Sequence, residues 1–443
     1  MDRIFLNDLL AAAKTAGADA AEAVLHQRRA LSVGVRLGAL EEVEREEARD
    51  LGLRVFVNGR QATVSGSDLS PAAVGKLVDR AVAMARLAPE DPYAGLAPAA
   101  LLAKNPDTDL DLFDPSEPTA EALEALAMEI EDAARAVPGV SNSEGGSASW
   151  GSSSWAFATS EGFVAGHRST SHSVYASVIA GEGDGMERGG DGRMTRWAAD
   201  LPNIHALGHE AGRQAVGRLG ARKIKSTTAA VIFENRIASS ILSPFAGAIS
   251  GPSVARGVSF LKTHLDKRVF ARGFCIYEEP HRMRGLGSAP FDDEGLPTVE
   301  RSLVQEGVLT TFLHNMASSR QLGMAPTGHA SRSLAGPPGV STHNLTVQPG
   351  QTDLAGLLVQ ARRGLLVTSM FGPSLNSNNG DWSVGVSGFW FEDGQIAHPV
   401  NEVTVAGNLI ELYGRMVAGS DLEFRGSTNS PSLLIDAVAI AGQ

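Results

Sequence analysis

The 443-residue chain has one cysteine, Cys275. A lone thiol cannot staple a small fold or build a thiolate metal site, and it fits a reducing compartment. Long apolar runs are missing too. None approaches the roughly 20 residues of a spanning helix, and the opening MDRIFLNDLLAAAK is broken by Asp2, Arg3, Asp8 and Lys14, which denies it the apolar core of a secretory leader. The expectation is a cytoplasmic protein with no membrane partner. Basic excess is absent: 38 Lys and Arg face 50 Asp and Glu, for a net charge of −12. Phosphate binding needs a basic face, and the Lys and Arg residues form no run that would supply one, so direct nucleic-acid contact is not expected. The densest charge run, Glu41 to Asp50, is mainly acidic and reads as a solvated strand or loop edge. Also missing are a G-x-S-x-G elbow, a P-loop and a G-x-G-x-x-G after a strand.

What is present is an ordinary globular composition, 43% hydrophobic and 20% charged. The length allows two or three domains. Leu6, Leu9, Leu10 and Ala13 lie at helical spacing, and Gly17 closes that helix. Leu31, Val33, Val35 and Leu37 alternate with period two. A run ending at Val57 meets Asn58-Gly59, a strong hairpin signal, and should return through Ala62 and Val64. Ser70-Pro71 starts a second helix with its stripe on Val74, Leu77, Val78, Ala81 and Met84. Residues 89–118 read as a linker or surface excursion. Asp114-Pro-Ser-Glu117 has the form of a capping box for a helix carrying Leu123, Leu126, Ile130 and Val137. Between 139 and 199, Gly and Ser mark an antiparallel meander with a mobile Gly-rich loop at 181–193, and a helix follows at about 203–218. The second half is mostly strands, among them Phe312–Leu313, Leu365–Thr368 and the hairpin around Glu392-Asp393-Gly394. The fold class expected is α+β: an N-terminal helix and antiparallel-sheet domain over 1–222, then a mostly β domain over 223–443.

Three constellations invite chemistry. His209-Glu210 resembles the start of a zincin helix, but the i+4 position is Arg213, whose cation repels a metal, so a solvated helix face is expected. Asp292-Asp293-Glu294 gathers carboxylates before Gly295 and could bind a hard cation or run acid–base chemistry, yet Asp and Gly also dominate exposed turns. Six histidines fall in the second half without i, i+4 pairing; His329, in a small polar loop, is the one best suited to line a groove. A fourth stretch, Ile241 to Leu261, is Gly-, Ser- and Pro-broken and dense in small residues, which lets a backbone or ligand come close. It offers no His, Asp, Glu or Cys.

Several motifs of the second half, in order, carry a resemblance. They are Val231-Ile-Phe233, Gly247-Ala-Ile-Ser-Gly251, Ser259-Phe-Leu261, Pro290-Phe-Asp-Asp-Glu-Gly295, Thr327-Gly-His329, Gly364-Leu-Leu-Val-Thr368, Gly380-Asp-Trp-Ser383, Gly388-Phe-Trp390, Pro399-Val400 and Ala406-Gly-Asn-Leu409. From about 225 onward the chain resembles the TldD/PmbA family, in its PmbA (TldE) branch. The resemblance implies a metallopeptidase complex that cuts unfolded peptides and small proteins, maturing peptide antibiotics and degrading antitoxins. Its active member carries H-E-x-x-x-H with a later Cys. By resemblance that motif falls on Ser243 to Ala248, so the metal positions Ser243 and Ala248 and the glutamate position Pro244 are vacated; the later Cys region falls at Ser427–Ser430 without a Cys. No catalytic residue and no metal are therefore expected here, and zinc is expected in a TldD-like partner subunit. Phe245, Gly247, His329, Asp381 and Trp382 are the expected lining of a substrate cavity. A heterodimer with that partner, and a homodimer in isolation, are the expected assemblies. Two other readings stand beside this one: an autonomous hydrolase using Asp292, Asp293 and His329, and a regulator of a DNA enzyme such as gyrase.

Overall fold

The chain is α+β in the computed structural model, which describes residues 2–443. Helix α1 (Asp2–Thr15) buries Leu6, Leu9, Leu10 and Ala13. Strands β1 (Ala20–Arg36) and β2 (Ala39–Val57) form one long antiparallel hairpin. Its turn needs positive φ at Leu37 and Gly38 (53° and 76°), and the buried Glu131 carboxylate holds it by accepting both their N–H groups. The second hairpin, into β3 (Arg60–Gly66), turns on Asn58-Gly59 with both φ positive, the geometry that matches strand twist. Helix α2 (Pro71–Leu87) starts where Ser70 caps it through Ala73 N–H.

Helix α3 (Ala120–Arg135), strands β4 (Val140–Thr159), β5 (Val164–Ala180) and β6 (Glu187–Thr195), and helix α4 (Ile204–Gly217) complete the first half. All six strands make one sheet in the order β3-β2-β1-β4-β5-β6. Ala21, Ala23 and Leu25 pack with α1 and α2, whereas Leu31, Val33 and Val35 pack with α3 and α4. With a period of two, both sets share one face of β1, so two helix pairs cover one face at opposite ends of the long strands.

Four expectations are corrected here. The helix expected to open at Asp114 is capped by Thr119 instead, because Asp114 is buried and spends its oxygens on Ser116 N–H, Ala198 N–H and His172. Of residues 181–193, expected as a mobile loop, Glu187 onward belongs to the sheet's edge strand. Of the two readings of 89–118 the free linker fails and the surface excursion holds, strapped down where Arg320 donates to the carbonyls of Tyr93, Gly95 and Leu96, and where Ala97, Leu110 and Leu112 are buried. Phe312–Leu313 makes an isolated bridge, Leu313 with Ser250, and no strand. The acidic run at 41–47 is exposed along β2, as its charge requires.

The second half is mostly β. Strand β7 (Thr227–Phe233), Gly364–Leu375, Asp381–Glu392, Gln395–Asn408 and Leu433–Ala441 pair in sequence around a ring, which closes where Thr404–Ala406 meet Ala439–Ala441. Closure removes most sheet edges. Edges remain open along parts of several strands, Gly364–Leu375 among them. The Gly364–Leu375 strand runs parallel to β7 only from Gly364 to Val367; beyond that, no described strand lies on its far side. A smaller sheet built on Ile276–Glu278 packs alongside through the same core, which includes Phe233, Phe245, Phe270, Val367 and Tyr413.

The two halves are joined by buried charge. Glu22 of β1 accepts from Arg54 (3.0 Å) and from Arg332 (2.6 Å), and all three side chains are nearly inaccessible. Phe163 of the first half meets Phe291 of the second edge to face at 5.7 Å. Among the described residues no helix is long and apolar enough to cross a membrane.

Candidate functional site

The Ile241–Leu261 stretch folds into two one-turn helices, Ser243–Ala248 and Gly251–Ala255. Each has proline in its first turn, where a missing N–H costs nothing. Phe245 is wholly buried, edge-on to Phe270 at 5.2 Å and to Tyr413 at 6.3 Å. Tyr413 donates its hydroxyl to Ile241 O, and burial pushes that phenol well above its usual range. The opposite face of Ser243–Ala248 presents Ser243, Pro244 and Gly247 to a groove of about 670 Å³. A Cβ added at Gly247 would meet no atom within 4 Å.

The other walls come from distant chain. Val258 and Phe260 follow the helices, while Trp382 and Val384 rise from the closed sheet. Met370, Pro373 and Leu375 line the groove from the Gly364–Leu375 strand, whose edge there is open. Trp382 is nearly buried, so it is floor, and its ring lies against Phe233 at 6.4 Å. The only charged group in the lining is Arg256; no His, Cys, Asp or Glu contributes. Such a site can grip extended chain by apolar contact and main-chain hydrogen bonds, and it has nothing to move a proton.

Of the residues expected to line a cavity, the structure brings Gly247 and Trp382 together with Ser243, Pro244 and Ala248. It does not bring the rest. Phe245 faces the core. His329 is 1% exposed, with Nε2 on Glu278 (2.7 Å) and Nδ1 on Thr327 (2.9 Å). Burial raises the Glu278 carboxyl, but hydrogen bonds and charge from His329 and then His343 together outweigh it and hold the group below its usual value. Asp381 is exposed and held by Asn379 and Asn408 at the strand's start, beside the groove and not in its lining.

The Asp292-Asp293-Glu294 turn is not an exposed one. Asp292 and Glu294 are buried and Asp293 is half-buried. Asp292 accepts from Glu294, Leu296 and Ala330 N–H, Asp293 from Arg332 N–H, and Glu294 from Met316 N–H. These carboxylates organise backbone where the halves meet, and Asp292 and Glu294, like His329, are shielded from solvent. Burial pushes Asp292 up to about 7, Asp293 to about 6 and Glu294 to about 8. His209 is exposed on α4, and Glu210 pairs with Arg213 and Gln214, a solvated face as expected.

Sequence reasoning missed the arginines. Arg188, Arg193, Arg218, Arg236 and Arg425 line a second cavity of about 710 Å³, which adjoins the groove through Ser240 and Met370. No local signal announces it, since the five come from elements up to 237 positions apart in a chain without a basic run.

Fold and groove define an α+β protein in which a closed sheet and two short helices frame an apolar groove beside an open strand edge. The family model described as PmbA/TldA metallopeptidase C-terminal domain matches residues 226–442, its central domain 113–219 and its domain 1 residues 21–85. The chain is 36% identical over 427 residues to "Metalloprotease PmbA" of Escherichia coli, covering 96% of this chain and 93% of that one. A Bacteroides thetaiotaomicron protein described as a candidate modulator of DNA gyrase superposes with a TM-score of 0.92 at 25% identity, over 100% of this chain and 99% of that one. TldE of Thermococcus kodakarensis gives 0.88 at 19% identity over 99% and 100%, a likeness of fold. The chain belongs to the PmbA/TldD metallopeptidase family.

The residues present do not fit the zinc that such a family implies. Zinc asks for three or four donors from His, Cys or carboxylate. Ser243, Pro244 and Ala248 offer one neutral hydroxyl among them, and Arg256 adds a repelling cation. At Ser427–Ser430 the buried Asn429 already accepts from Arg425 and Gly426 N–H. Among the described residues no group of three or more His, Cys, Asp or Glu is arranged to hold a metal ion.

Proposed function

We propose that this chain is the peptide-holding, non-catalytic subunit of a TldD–PmbA-type metallopeptidase complex. The observation that carries the reading is the groove at Ser243–Ala248, which adjoins an open strand edge and contains neither a metal donor nor a proton carrier. An unfolded peptide can add to an exposed edge through main-chain hydrogen bonds, with side chains set alternately into the groove. Phe260, Trp382, Met370 and Leu375 supply apolar contact without selecting one sequence, which suits unfolded peptides as a class. Zinc and the general base then belong to a TldD-like partner, with this chain completing a shared cavity as a heterodimer. The metalloprotease names of the relatives support a place in proteolysis. The net charge of −12 supports no direct contact with DNA.

The test is activity by parts. The purified chain, alone and zinc-loaded, is expected to bind unstructured peptides, to leave them intact and to hold no stoichiometric zinc. Hydrolysis is expected only when the partner subunit is added. One zinc per chain together with peptide cleavage by this chain alone sinks the reading.

A further inference from the structure

The arginine-lined cavity has features of a built site. Four of its guanidiniums have carboxylate partners: Arg188 has Glu144, Arg236 has Glu234, Arg425 has Glu423 and Asp191, and Arg193 reaches Glu423 at 3.6 Å. Arg218 has none within ion-pair distance and donates only to the carbonyls of Arg188 (2.7 Å) and Thr368 (3.4 Å). Two further polar atoms of the lining are buried without a partner among the described residues: Arg193 Nη1, and the hydroxyl of Thr368, a residue 7% exposed. A buried donor left unpaired is costly, and more so when it is charged, so the cavity is arranged for an acceptor. Desolvation, then the neighbouring Arg425, holds Arg193 below its usual pKa; desolvation, then Arg236, does the same for Arg218. A bound anion offsets both, because its charge opposes the repulsion between the guanidiniums and favours their charged form.

Position adds direction. Thr368, Ser369 and Met370 line the arginine cavity, and Met370, Pro373 and Leu375 line the groove, all on the Gly364–Leu375 strand with its open edge. A peptide added antiparallel to that strand runs from Leu375 toward Thr368 and carries its C-terminal end into the arginines. A parallel peptide would bring its N-terminal ammonium there, against the cations.

We infer that the cavity lined by Arg193, Arg218 and Thr368 binds a carboxylate at the C-terminal end of the held peptide, either the chain terminus or an acidic side chain next to it. The inference rests on the proposed peptide-holding groove and assigns that groove a polarity and a preference. Arg218 and Arg193 donate to the carboxylate, and Thr368 supplies a hydroxyl donor at the edge.

The experiment measures fluorescence anisotropy with N-terminally labelled decapeptides of one apolar sequence. They end as free acid, as amide, or as amide with a penultimate Glu or Gln. Wild-type chain is expected to bind the free acid, or the amide with Glu, about tenfold more tightly than the neutral amides, the size of one charge-assisted hydrogen bond. Acid against amide reports the terminus, and Glu against Gln the side chain. In Arg218→Gln and Arg193→Gln the preference is expected to fall within about twofold, while Arg218→Lys keeps part of it; melting curves establish that each variant is folded. Gly247→Trp, which fills the groove, is expected to lose all four peptides. Equal binding of all four by the wild type, with loss in Gly247→Trp, overturns the carboxylate site and leaves the groove standing. A preference that survives in both Gln variants also overturns it. A wild type that binds none of the peptides overturns both.

Discussion

Phe245 and Gly247 stand two positions apart on one short helix and belong to different environments. Phe245 fills the core between Phe270 and Tyr413, and its loss leaves a cavity that a rigid closed sheet cannot collapse. Phe245→Ala is expected to destabilise the chain by about 3–5 kcal/mol, read as a lower denaturant midpoint at unchanged slope. Gly247→Ala adds a methyl group where no atom lies within 4 Å and improves helix propensity. It is expected to change stability by less than about 1 kcal/mol. Were Phe245 the groove residue and Gly247 the packed one, the two results would be exchanged. The density of small residues over Ile241–Leu261 made this stretch legible as a place of close approach. Which residues face out was not legible, because helices of six and five residues are too short to show a period.

Among elements, the strand Gly364–Leu375 has two different halves. Its first four residues are sandwiched between β7 and the Asp381–Glu392 strand; the remainder pairs on one side only, with Phe371 and Leu375 exposed. Amides on the free edge exchange with solvent easily because no ladder protects them. Hydrogen exchange over 368–375 is expected to slow at least about tenfold when an unstructured peptide is added at saturation, while 364–367 stays unchanged. Uniform exchange with and without peptide would remove edge addition from the account. Strong local signals placed most elements: Asn58-Gly59, Ser70-Pro71 and the Glu392-Asp393-Gly394 hairpin lie where the chain turns. The misplacements share one cause. Asp114 carries a good capping signal, but Ala198 and His172, more than 50 positions away, claim its carboxylate, and the helix begins at Thr119. The 187–195 strand looked like a loop because its glycines hide the alternation that marks a strand, and its partner β5 imposes the geometry.

Across the whole molecule, the least legible feature is the charge buried between the halves. Glu22, Arg54, Asp293, Glu294 and Arg332 come from four separate stretches and read singly as surface residues, yet the fold gathers them where β1 and β2 meet the second half. This junction sets a pH dependence whose sign can be worked out. Burial raises Glu294 to about 8, with the charges of Asp292 and Glu22 adding to it and Arg54, 4.0 Å away, opposing; burial raises Asp292 to about 7. In the unfolded chain both groups have lost their protons by about pH 6. Above that, the folded state binds more protons than the unfolded one, so stability falls as pH rises, by about 1 kcal/mol per pH unit for each carboxyl still protonated in the fold. Below about pH 7.5 a second set opposes it. Burial lowers His167 and His314 to about 4, so these stay neutral in the fold while the unfolded chain protonates them, and stability is lost on that side as pH falls. The carboxyls therefore act without opposition from these histidines only between about pH 7.5 and 8.5. Denaturant midpoints of the wild type are expected to fall across that interval. Glu294→Gln keeps an acceptor for Met316 N–H but has no proton to lose, so its midpoints are expected to fall less steeply. A wild-type profile flat from pH 7.5 to 8.5, or one that Glu294→Gln leaves as steep, would mean that Glu294 is already ionised in the fold, with Arg54 outweighing its burial.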